Sequence, residues 1–119
     1  MSFGFKYGLP SDADMVADMR FLPNPFWDEN LRPFTGVDTQ VAEYVTGQPR
    51  AQEFLESYVA ALRPVLVGYM AENKRYATIA IGCTGGKHRS VAMATALAAA
   101  LKNGPELRIN VKHRDMGKE

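Results

Sequence analysis

Between Gly82 and Ser90 the chain sets Cys83, Thr84, Gly85, Gly86, Lys87, His88, Arg89 and Ser90 in unbroken succession. A thiol, two hydroxyls, a lysine, an imidazole and a guanidinium around a glycine pair suit the holding of an oxyanion. The two glycines allow positive φ and a close backbone approach to a phosphate. Arg89 offers a planar fork to two phosphate oxygens, Lys87 a mobile point charge, and Thr84 and Ser90 hydroxyl donors. If a helix begins at Ser90, its unpaired N–H groups and its dipole add to the attraction.

Two catalytic readings of the same residues compete with binding. A Walker loop needs four residues between its first glycine and its Gly-Lys pair, whereas Gly82 and Gly86 are separated by Cys83, Thr84 and Gly85 alone. His88 also stands where the magnesium-holding hydroxyl would be, which argues against a Walker NTPase. Cys83-x-x-Gly86-x-x-Arg89-Ser90 does fit a cysteine-phosphatase loop, in which a thiolate attacks phosphorus. Gly82 replaces the histidine usual before that cysteine, and Asp28 is the best general acid on offer. Binding without cysteine chemistry is the preferred reading; Cys83 would be catalytic only under the phosphatase alternative.

The elements that must position the loop follow from pattern. Ser2–Tyr7 alternates as a short strand stopped by Gly8-Leu9-Pro10, and Met15–Phe21 reads as a second strand or, nearly as well, a helix. Leu22–Gly36 carries Pro23, Pro25 and Pro33 and is a long loop, with Trp27 expected to close over the anion loop as a core lid rather than to stack on a base. Asp38 can cap a helix through Val45 that Gly47 and Pro49 close, and Arg50–Asn73 is a long helix with a break expected near Ala61 because of Pro64. Ala77–Ile81 is an apolar run of the kind buried on both faces. An Ala-rich helix spans Ser90–Lys102 until Gly104-Pro105, and Leu107–His113 alternates as a last strand. The expectation is one compact α/β domain over residues 1–119, with a short, mixed or partly parallel sheet flanked by helices.

Bulk properties exclude several classes. At 119 residues there is one domain, and a net charge of +1 gives no overall field to draw in nucleic acid or membrane. A lone cysteine forbids an intramolecular disulfide, and two histidines with one cysteine give little basis for a metal. No cofactor or metal is expected. No apolar run reaches spanning length and no signal peptide is evident, so a cytoplasmic protein without membrane contact is expected. Asp18 and Arg20 would share one face of a strand, as a surface ion pair or as a pair orienting Arg89 or Lys6. Lys112, His113 and Arg114, with Lys87 and Arg89, are candidates for RNA phosphates, although a basic terminal stretch is usually solvated.

The segments Phe3-Gly4-Phe5-Lys6-Tyr7-Gly8, Asp12-Ala13-Asp14, Asp18-Met19-Arg20-Phe21-Leu22-Pro23-Asn24-Pro25, Leu31-Arg32-Pro33 and Gly82–Ser90 resemble the carboxy-terminal domain of the RapZ/YvcJ family, in that order and over nearly the whole chain. The resemblance implies a homo-oligomeric regulatory module that binds glucosamine-6-phosphate and small regulatory RNA as an RNase adapter, with a ribonuclease as partner. It implies a ligand pocket on Lys6, Thr84, Gly85, Lys87, His88 and Arg89 beside Cys83, supported by Asp18, Arg20, Asn24 and Trp27. The family's amino-terminal P-loop domain is not in this sequence; members are otherwise known as nucleotide-binding proteins through it, and a purely structural role beside it is the remaining alternative. Phe26 stands where the RNA-adapter members carry a histidine that helps hold the sugar phosphate, so an imidazole donor is replaced by an apolar ring while the anion site is kept.

Overall fold

Three short strands meet side by side in a computed structural model that describes residues 1–102 and 107–118. β1 (Ser2–Gly4), β2 (Met15–Asp18) and β3 (Ile79–Cys83) form a sheet in the order β1-β3-β2, with β3 central and both pairings parallel. Gly4 sits beside Cys83 and Asp18 beside Gly82, so all three strands finish at the same edge of the sheet. In open parallel sheets the carboxyl ends of the strands are where ligands bind.

Three helices complete the α/β fold: α1 (Thr39–Thr46), α2 (Pro49–Ala71) and α3 (Arg89–Leu101). α3 follows β3 directly and packs against β3, β1, α1 and α2. Its buried Val91, Met93, Leu97 and Leu101 join Met19, Val41, Val45, Leu62 and Ile81 in the core. No described helix is long and apolar enough to cross a membrane.

Several elements depart from the patterns that predict them. β1 stops at Gly4, and Phe5–Tyr7 turns into a 3-10 helix. β2 stops at Asp18 because the Asp18 carboxylate folds back to accept the Arg20 N–H at 2.8 Å, which bends the chain out of the strand. The strand expected at Ala77–Ile81 begins two residues later, at Ile79, and runs on to Cys83. Pro64 lies within α2 and the helix continues through it. The carbonyl of Ala60 that loses its partner there belongs to an exposed residue, so solvent can satisfy it. Pro49 opens α2 at a position where a missing N–H costs nothing. Leu107–His113 forms no strand; it meets β1 at one parallel bridge, Ser2 with His113. Gly104 and Pro105, expected to end α3, lie outside the described residues.

Candidate anion-binding site

The carboxyl edge of the sheet opens into a cleft of about 280 Å³. Lys6, Asn24, Phe26, Trp27, Cys83, Thr84, Gly85, Lys87, His88 and Arg89 line it. Three segments bring these together: the turn after β1 supplies Lys6, the loop after β2 supplies Asn24, Phe26 and Trp27, and the stretch from the end of β3 to the start of α3 supplies the rest.

Glycines set how closely those elements approach. A Cβ on Gly4 would lie 2.5 Å from the Gly85 carbonyl carbon, so the end of β1 presses directly against the loop backbone. The Lys6 N–H donates to the Thr84 carbonyl at 3.2 Å and fixes the same approach one turn on. Gly86 takes φ +76° and is the member of the Gly85-Gly86 pair that needs a left-handed backbone. On the other side, a Cβ on Gly36 would lie 2.4 Å from the His88 carbonyl oxygen, and the Gly36 N–H donates to the Lys87 carbonyl at 2.9 Å. The Leu31–Gly36 segment is therefore latched onto the start of α3.

Side chains complete the site. Arg89 is 5% exposed, and its guanidinium donates to the Arg20 and Leu22 carbonyls at 3.2 and 3.1 Å and to Thr84 Oγ1 at 3.4 Å. Lys87 Nζ donates to the Arg32 carbonyl at 2.9 Å, and His88 Nε2 lies 3.1 Å from that same oxygen. Among the described residues no carboxylate lines the cleft. Asp18 and Arg20 do not line it either: they form a two-pronged exposed ion pair, closest at 2.7 Å, and its hydrogen bonds hold the Asp18 carboxyl below its usual range. Their link to the site is through backbone, since the Arg20 carbonyl holds Arg89.

Two loop residues turn away from the cleft. Ser90 is fully buried, with its Oγ 3.1 Å from Cys83 Sγ, and Gly86 faces Gly4 and Asp115. Trp27 is no core lid: it stands at the cleft mouth with 76% of its surface exposed. The basic stretch near the carboxyl end is not simply solvated. His113 Nδ1 pairs with Ser2 Oγ at 2.7 Å, and burial lowers its pKa. Arg114 donates to the Gly8 carbonyl at 2.6 Å and pairs with Asp115 at 2.8 Å. Lys112, exposed, accepts the Ser2 N–H through its carbonyl.

Sequence patterns do not single out Asp115, although a lone acid among Lys112, His113, Arg114 and Lys118 is a signal. It is fully buried and accepts from the Gly4 N–H at 2.7 Å, from Arg114 and from Lys118. Burial pushes its carboxyl up, yet the hydrogen bonds from Arg114, Gly4 and Lys118 outweigh this and hold it at about 2. The role of Arg32 is not legible from its side chain either, because its backbone carbonyl is what holds Lys87 and His88.

Residues 1–117 match the family model described as the RapZ C-terminal domain. The chain is 65% identical over 119 residues to a nucleotide-binding protein of Leifsonia xyli subsp. xyli, covering all of this chain and 40% of that protein. It is 64% identical to a nucleotide-binding protein of Clavibacter michiganensis subsp. michiganensis, again over all of this chain and 41% of the relative. A nucleotide-binding protein of Mycobacterium sp. (strain KMS) is 61% identical over 118 residues, 99% of this chain and 39% of the relative. The chain thus spans about two-fifths of the length of the curated relatives it matches, and these three carry no enzyme's name. With the family model matched over residues 1–117, the chain belongs to the RapZ C-terminal domain family.

Proposed function

We propose that this domain is a regulatory binding module whose cleft takes a phosphorylated small molecule. The observation that carries the reading is the lining: Lys6, Lys87, His88 and Arg89 converge on one cleft whose described walls hold no carboxylate. Such a field favours an anion, and hydrogen bonds from charged donors hold it in a fixed pose. A domain that served only to pack beside another would have no use for cations gathered in a cleft. A metabolite-reading role fits this chemistry, and an RNA phosphate is the larger anion that would meet the same donors.

Calorimetric titration tests the reading. Sugar phosphates and nucleotides should bind, their unphosphorylated counterparts should not, and Lys87→Ala should weaken binding by about 1.5 kcal/mol. Equal affinity for phosphorylated and unphosphorylated partners would remove the anion site.

The phosphatase alternative fares worse. Cys83 is 3% exposed and its thiol engages Ser90. A histidine at position 82 has no room, because even a Cβ there would lie 2.4 Å from the Phe3 ring. Cys83→Ser should leave ligand affinity within about threefold, since a bystander thiol contributes little. Neither form should hydrolyse p-nitrophenyl phosphate; a product burst from the parent that Cys83→Ser abolishes would make the chain an enzyme.

A further inference from the structure

Arg32 does not line the cleft, yet it holds both the cationic loop and the aromatic rim that do. Its backbone carbonyl accepts from Lys87 Nζ at 2.9 Å and lies 3.1 Å from His88 Nε2. A carbonyl oxygen has two lone pairs, enough for both partners. Its side chain serves the rim. Arg32 Nε donates to the Phe26 carbonyl at 2.6 Å, and the guanidinium lies 4.8 Å from the Phe26 ring centre. Phe26 in turn gives its N–H to Asn24 Oδ1 at 3.0 Å, and its ring meets Trp27 edge-to-face with centroids 5.1 Å apart. The start of α3 and the aromatic rim are therefore joined through a single residue.

The kind of partner decides what the contact with Lys87 does. A lysine parked on a carboxylate is neutralised, whereas a carbonyl restrains the ammonium and leaves its full charge. An ammonium has three N–H donors, so one bond to Arg32 leaves others for a ligand in the cleft. A flexible side chain that is held beforehand loses less freedom when the ligand arrives. The carbonyl is itself held. The Arg32 N–H donates to the Asp28 carbonyl at 2.8 Å, and Leu31 beside it is buried. The bond from Nε to Phe26 then closes residues 26 to 32 into a ring. Resting on the phosphate reading of the cleft, we propose that Arg32 is a positioning residue: its side chain braces the turn whose carbonyl presets Lys87 and His88 for an anion.

Substitutions separate this role from simple attraction by the Arg32 charge. Glutamine places an amide N–H donor where arginine has Nε but carries no charge, and lysine keeps the charge without that donor. The 119-residue chain is titrated calorimetrically with inorganic phosphate and glucose 6-phosphate. Arg32→Ala should weaken binding about fivefold, the scale of immobilising one rotamer-rich side chain. Arg32→Gln should bind like the parent, and Arg32→Lys should be as weak as Arg32→Ala. In a Lys87→Ala background Arg32→Ala should lose most of its effect, because the two residues act as one unit. Urea unfolding follows the fold of each variant; should Arg32→Ala not fold, Arg32→Lys takes its place in the cycle. Additive losses, or tight binding by Arg32→Lys with weak binding by Arg32→Gln, overturn the positioning role and leave the phosphate site standing. Failure of both compounds to bind the parent overturns the phosphate reading and the positioning role with it.

Discussion

Arg89→Ala should weaken binding of a phosphorylated ligand by about 1.5–3 kcal/mol, the range for a hydrogen bond to a charged group. It should also lower stability by about 2 kcal/mol, because the Arg20 and Leu22 carbonyls that it bonds at 3.2 and 3.1 Å lose their donor. Both effects come from one guanidinium, which reaches into the cleft while tying down the loop after β2. Arg89→Lys separates them. The lysine keeps the charge but lacks the fork, so it should recover part of the stability and little of the affinity. Urea unfolding gives the first quantity and calorimetry the second. A folded Arg89→Lys protein that binds as tightly as the parent would take Arg89 out of the site.

Asp115→Ala should cost about 2–4 kcal/mol of stability, since it strips the Gly4 N–H of its acceptor and leaves Arg114 without its counter-charge. The cost should depend on pH in a defined direction. The Asp115 carboxyl is held at about 2 against an ordinary 3.8, so folding favours its ionised form. The resulting stability is fully present above pH 3.8 and is lost as pH falls towards 2, in total about 2 kcal/mol. Melting curves of parent and Asp115→Asn between about pH 6 and pH 2 should therefore draw together in acid, as that titration requires. A gap that stays constant over the range would mean that the Asp115 charge does not support the fold. The loop should feel the loss as well: Gly86 is backed by Asp115, so closely that a Cβ at position 86 would sit 3.0 Å from the Asp115 Cβ.

The strand–loop–helix unit is legible in the sequence because its parts are local. An apolar run, a glycine pair and an alanine-rich helix follow one another, and Gly82–Ser90 spans the end of β3, the turn and the start of α3. The limits of the sheet are not legible. The alternation of Leu107–His113 fits a strand, but the neighbouring edge, β1, is three residues long and leaves a single bridge to make. Asp18 and Arg20 read as a face of a strand, whereas the Asp18 side chain ends the strand by bonding the Arg20 backbone. Trp27 reads as buried because large aromatics usually are, and nothing in the residues around it shows that the 3-10 turn directs it outward. Ser90 reads as a ligand donor from the motif alone; the helical geometry of α3 carries it to the inner side, against Cys83.

The central place of β3 also decides when this domain can come into being. β1 and β2 make no ladder with each other; each forms its ladder with β3, across more than sixty intervening residues for both. During synthesis the first two strands must therefore wait without partners until residue 83 has left the ribosome, and closing such long loops is slow. The bonds of His113 and Asp115 to Ser2 and Gly4 need a still longer stretch of chain to have emerged. A nascent chain arrested before Ile79 should hold α1 and α2 but no sheet.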